Sequence, residues 1–396
     1  MPNRNFNFNN DKKYGENEMS DFQTFVMERM MSKFEQDVDF NLSESGVHPI
    51  LLKDLLGGDR EIINNFLESD LNYPYVNGIP ELRQNIAQLY NGSNPDNVLV
   101  TVGAIEANYV STRTLLSAGD EIVIMLPNYM QIWGIAKNHK FKIKTFHLRE
   151  DQGWSPDLDQ LNDIVSADTK LIAICNPNNP TGYILTNDEI DKIVAIADRF
   201  GSWILADEVY RGAERITDKE STSFYGRYDK VLAVGSMSKA YGMPGLRIGW
   251  VVGPVDTIDE IWARHEYTTI SATMLSNKLA ALALSSEVRP RIIERTREYI
   301  RRGYPVLEQW MNSRKDTFTF TSPQAAAIIF VRYHLDINST EFEELLRHQK
   351  SVLIVPGDHF GMDHFVRISF GLPHDYLTAA LDRINDLIVE LKGGRG

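Results

Sequence analysis

Short apolar runs alternate with amphipathic stretches through the middle of the chain. Positions 97–102, 121–126, 142–148, 169–175, 203–207, 230–234 and 247–252 are short and mostly apolar, as strands buried on both faces are. Positions 106–116, 188–199 and 258–264 repeat their apolar residues at helical spacing. This order predicts a mainly parallel sheet covered by helices on both sides, the arrangement of a large α/β domain.

The flanks read differently. Phe22, Phe25, Val26, Met30 and Phe34 recur at helical spacing over 20–36, with Ser20 in the N-cap position, so an amphipathic helix is expected as an arm on a larger body. The stretch 289–311, charged on one face and apolar on the other, suits a helix bridging two units. Beyond it, strands are expected at 317–321, 325–333, 352–355 and 365–370, with helices at 339–349 and 375–391. That is a small α+β C-terminal domain, and Gly393 and Gly394 end its last helix. The chain thus divides into a disordered lead-in (1–18), an N-terminal arm and turn (19–58), a large domain (59–288), and a bridging helix with the small domain (289–396).

Composition narrows the partners. Hydrophobic residues make up 43% of the 396 and charged residues 24%, an ordinary globular mixture. The formal charge of −13 argues against nucleic acid, whose binders normally carry the opposite sign. Cys175, the only cysteine, sits in an apolar run, so an inert buried thiol is expected, with no intramolecular disulfide and no thiolate metal cluster. No pair of histidines sits three or four residues apart, and no metal site is expected. No apolar stretch approaches the ~18 residues of a membrane span. Asn and charge fill the first 18 positions without an apolar core, so the expected compartment is the cytoplasm.

The chemistry concentrates in 235–250, where Lys239 lies among small residues and Arg247 follows eight positions later. An amine that forms a Schiff base must be reachable and partly deprotonated, and a neighbouring cation favours that. Ser236 and Ser238 can donate to a phosphate that Arg247 holds bidentately. Taken alone, the segment also fits a strand–turn–strand with a solvated lysine. Gly103 and Ala104, at a strand-to-helix turn, offer backbone N–H groups to a phosphate, or form merely a tight turn.

Together with three further stretches in the same order, this segment resembles the fold-type I, pyridoxal-phosphate-dependent aminotransferases of class I/II. Those stretches are 176–182 with Asn179, 206–210 with Asp207 and Tyr210, and 366–370 with Arg367. The resemblance implies that Lys239 binds pyridoxal 5'-phosphate covalently, and that Asn179 and Tyr210 hold its phenolic oxygen. It also implies that Asp207 faces the pyridine nitrogen and Arg367 clamps the substrate α-carboxylate. Tyr129 falls where the family stacks an aromatic ring on the pyridine, although a core tyrosine is the alternative. Tyr73 matches the tyrosine sent across a dimer interface to the partner's phosphate, which implies a homodimer with shared sites. Thr268 and Thr269 could join that phosphate by position.

Gly46, in a turn expected on the substrate side, and His48 complete the candidates, His48 as a second proton-transfer group or a structural residue. The stretch around them also resembles a subgroup near capreomycidine synthase and the oxygen-using arginine oxidases. The implied activity is transamination of an L-amino acid to a 2-oxo acid. The alternative is a PLP- and O2-dependent oxidase, eliminase or cyclase of arginine or another guanidino amino acid, with Asp37, Asp39 and Glu44 available to a cationic side chain. A non-catalytic, cofactor-binding regulator is the remote alternative, and the acidic, short N-terminal region argues against it.

Overall fold

The computed structural model describes residues 22–393. The expected lead-in and Ser20 lie outside the described residues, as does Gly394. The molecule is mixed α/β, with a large, mainly parallel sheet and a small antiparallel one. The large sheet has eight strands in the spatial order Val98–Thr101, Gly249–Val252, Val231–Ser236, Trp203–Asp207, Thr169–Cys175, Glu121–Leu126, Lys142–Arg149 and Ser155–Pro156. The five strands from Val231–Ser236 to Lys142–Arg149 run parallel, and antiparallel pairs close both edges. Apolar clusters cover both faces, one including Val123, Ile172 and Ile204, the other Ile122, Leu171 and Leu205. Successive residues of each strand thus enter opposite cores, which is why these strands read as continuous apolar runs.

The four-stranded sheet has the order Phe318–Phe320, Ile328–Tyr333, Phe365–Ser369, Val355–Pro356 and is antiparallel throughout. The helix Arg289–Asn312 precedes it, and the helices Ser339–Lys350 and His374–Gly393 belong to the same C-terminal part.

Four expected elements are corrected. The N-terminal helix starts at Val26, with Phe25 as its N-cap, and it buries Met27, Met30 and Met31 while Phe22 stays 67% exposed. The strand expected at 247 starts at Gly249, because Arg247 adopts a left-handed backbone with φ +52°. The strand expected at 325 starts at Ile328, after Ala326 at φ +66°. The run 352–355 is split: Val352–Leu353 pairs in parallel with Phe40–Asn41, whereas Val355–Pro356 pairs with Val366 and Arg367. All four residues of that run are buried, so hydrophobicity alone could not show the change of partner.

Among the described residues, no helix is long and apolar enough to cross a membrane, and no group of His, Cys, Asp and Glu could hold a metal ion.

Candidate active site

Ligands in open α/β sheets bind beyond the carboxyl ends of the strands, where successive connections leave in opposite directions. Here that point falls between Glu121–Leu126, followed by Lys142–Arg149 on one side, and Thr169–Cys175, followed by Trp203–Asp207 on the other. A cavity of about 300 Å³ opens there. Cys175, Asp207 and Ser236 line it, and each is the last residue of its strand.

Lys239, Asp207, Asn179, Tyr210, Tyr129, Ala104, Ser236, Ser238, Arg247 and Arg367 all line this one cavity. The Lys239 Nζ lies 3.7 Å from a carboxylate oxygen of Glu44. Asp207 accepts from Asn108 Nδ2 at 2.9 Å and from the Val209 N–H at 3.3 Å, and burial pushes its carboxyl pKa up. Arg367, 2% exposed, donates from Nη1 to Asn179 Oδ1 at 2.9 Å and from Nη2 to the Ser43 carbonyl. The Tyr210 hydroxyl is buried near Ser45 and makes no hydrogen bond among the described residues. The Tyr129 hydroxyl donates to Glu28 Oε1 at 2.7 Å, and burial followed by that carboxylate raises its pKa.

Two glycines shape the phosphate side. At Gly103, φ +76°, a Cβ would stand 2.6 Å from Arg247 Nη2, and at Gly249 it would stand 2.3 Å from the Gly103 carbonyl carbon. Only backbone fits between the helix start, the strand Gly249–Val252 and the guanidinium, so the turn lies directly against Arg247.

The remaining candidates sit apart. Gly46 packs against Lys239 without lining the cavity: a Cβ there would lie 3.1 Å from the Ser238 carbonyl oxygen and 3.8 Å from Lys239. His48 is exposed, its ring 5.9 Å from that of Tyr299 and its carbonyl accepting from Arg295, so within one chain it does not reach the cavity. Partial burial, then the Arg295 charge, lowers its pKa. Tyr73 is 82% exposed and lies outside the cavity of its own chain. Thr268 and Thr269 turn their hydroxyls to Glu106 instead of the cavity. Asp39 pairs with Arg383 at 2.7 Å, and of the three acids proposed for a cationic side chain only Glu44 lines the cavity.

Three polar lining residues that matter to the site, Asn108, Glu28 and Glu35, went unread in the sequence. Asn108 stands one helical turn after Ala104, a spacing that could have revealed it. Glu28 and Glu35 come from the N-terminal helix and its C-cap, where no local signal marks a carboxylate that reaches a distant sheet.

The model of the aminotransferase class I and II family matches residues 61–384. The chain belongs to this family. It is 29% identical over 353 residues to the capreomycidine synthase of Streptomyces vinaceus, covering 87% of this chain and 89% of that protein. It is 30% identical to an aspartate aminotransferase of Pyrococcus horikoshii, covering 78% of this chain and 80% of the other. A crystal structure of a PLP-dependent aminotransferase from Streptococcus suis superposes with a TM-score of 0.88 at 30% identity, covering 93% of this chain and 98% of that one.

The protein is therefore a pyridoxal-phosphate-dependent enzyme of fold type I. Its residues fit that cofactor. The Tyr210 hydroxyl and Asn108 Oδ1 are buried polar atoms without a protein partner, Asp207 is a carboxylate whose burial calls for a cation, and the Gly103 helix start lies against the Arg247 guanidinium.

Proposed function

We propose that the enzyme transfers the amino group of an L-amino acid to a 2-oxo acid. The observation that carries this reading is the convergence of Lys239, Asp207, Asn179, Tyr210 and Arg367 on one cavity at the strand ends. When bound, pyridoxal phosphate supplies the electron sink that allows a Cα–H bond to break. Asp207 would face its ring nitrogen and hold the proton there. Asn179 and Tyr210 would donate to its phenolic oxygen, with Tyr129 placed to pack on the ring. The Gly103–Ala104 turn, Ser236, Ser238 and Arg247 would hold the phosphate. Arg367 would take the substrate carboxylate and so fix which Cα bond faces the ring. The Lys239 amine would then carry the Cα proton as general base.

A second reading is favoured by charge. Glu28, Glu35 and Glu44 line the same cavity, and burial, then Glu44 and Glu28, raises the Glu35 pKa. A guanidinium or ammonium on the substrate side chain would relieve that repulsion. With the relationship to a capreomycidine synthase, this supports action on arginine or another guanidino amino acid, by transamination, O2-dependent oxidation, elimination or cyclisation.

The test mixes holoenzyme with L-arginine or with L-aspartate, in air and without oxygen, and quantifies pyridoxamine phosphate, 2-oxo acid and peroxide. Oxygen-independent conversion of the cofactor to pyridoxamine phosphate with release of a 2-oxo acid is the expected result. Arginine-dependent oxygen consumption with peroxide would replace transamination by the oxidase reading. Pyridoxamine phosphate from aspartate alone would remove the guanidino substrate.

A further inference from the structure

Glu106 is a buried carboxylate that the chemistry above leaves unused. It is 7% exposed, in the first turn of the helix Gly103–Leu115, on the opposite side from the cavity-lining Ala104 and Asn108. One oxygen accepts from the Val102 N–H at 2.6 Å, closing a helix start that has no side-chain cap. The other gathers three groups from a distant segment. Thr269 donates to it at 2.7 Å, the Thr268 hydroxyl lies against it, and the Nδ1 of His265, a fully buried side chain, is 3.1 Å away.

The segment it holds is under strain. The Ser271 N–H bonds the Thr269 carbonyl at 2.8 Å across Ile270, which sits at φ +66°. A γ-turn at positive φ is rare, and β-branched residues avoid that region. Such a turn persists only where its surroundings over-determine it, and here the two residues before Ile270 are both fastened to Glu106.

We propose that Glu106 is a positioning residue for the cofactor phosphate. Its carboxylate locks the Val102–Gly103 turn and the 265–271 segment into one body, so the N–H groups of the turn meet the phosphate already aligned. Preorganised donors bind an anion more tightly than donors that must be ordered on binding. This inference rests on the cofactor-phosphate reading proposed above.

The experiment compares cofactor dissociation rate and affinity in the wild-type holoenzyme, Glu106→Gln, and a Thr268→Val/Thr269→Val double variant. In Glu106→Gln an amide N–H faces one of the donors, and cofactor affinity is expected to fall about tenfold. The double variant, which keeps the carboxylate, is expected to show the same direction and decides the matter if Glu106→Gln does not fold. Glu121→Gln is the control. Glu121 is equally buried and hydrogen-bonded to Thr169, but it lies at the opposite end of the sheet, so its loss should lower stability while leaving cofactor affinity unchanged. Variants that melt earlier yet keep wild-type cofactor affinity would overturn the proposal. A wild-type chain that does not take up pyridoxal phosphate would overturn the function proposed above together with it.

Discussion

Arg367 lies almost wholly buried between Asn179, the Ser43 carbonyl and the face of Phe360, with its Nε unpaired. Burial lowers its pKa, and an incoming carboxylate would offset that desolvation. Replacing Arg367 by Gln is expected to lower kcat/KM for the amino acid about a hundredfold, about 2.7 kcal/mol, with cofactor binding retained. Steady-state kinetics with a cofactor titration would check this, and equal losses in both would contradict the assignment. Arg367 was legible as a candidate because the sequence around it is distinctive. Glu28 was not, since its place beside Tyr129 depends on where the N-terminal helix docks. His48 shows the converse: it lies two residues beyond Gly46, which packs on Lys239, yet the chain turns it out toward Tyr299.

Among the elements, the helix Gly103–Leu115 joins stability to the site. Burial pushes the Glu106 carboxyl up, but hydrogen bonds from Thr268, Val102 and Thr269 and the His265 ring close beside it outweigh that and hold the pKa at about 2, against 4.5 for an ordinary glutamate. The folded value is depressed, so this contribution to stability is present in full above pH 4.5 and is lost as the pH falls toward 2. Urea unfolding between pH 6 and pH 3 should show the onset of this loss in the wild type and a flatter profile in Glu106→Gln; parallel profiles would refute it. The large-sheet strands were legible because apolar side chains fill both faces. The split of 352–355 was not, because the change of neighbour happens inside a wholly buried run.

At the scale of the whole molecule, Leu67, Leu71, Tyr73 and Tyr75, close together in the chain, are each more than half exposed, an apolar segment open to a partner surface. We propose that a second copy covers it and that Tyr73 reaches the neighbouring phosphate. Sedimentation at micromolar concentration should give a dimer, and Tyr73→Ala should release cofactor several-fold faster; a monomer with tightly held cofactor would exclude a shared site. The sequence by itself determined the parallel α/β core and offered Lys239, Asp207, Asn179, Tyr210 and Arg367 as candidates that the fold brings to one cavity, because apolar period and local motif are properties of neighbouring residues. Only the tertiary structure decided that Glu28 and Glu35 face the cavity, that Asn108 supports Asp207, and that Thr268 and Thr269 serve Glu106. These contacts join segments from 99 to more than 160 positions apart, and no local pattern encodes which distant groups a folded chain brings within hydrogen-bonding distance.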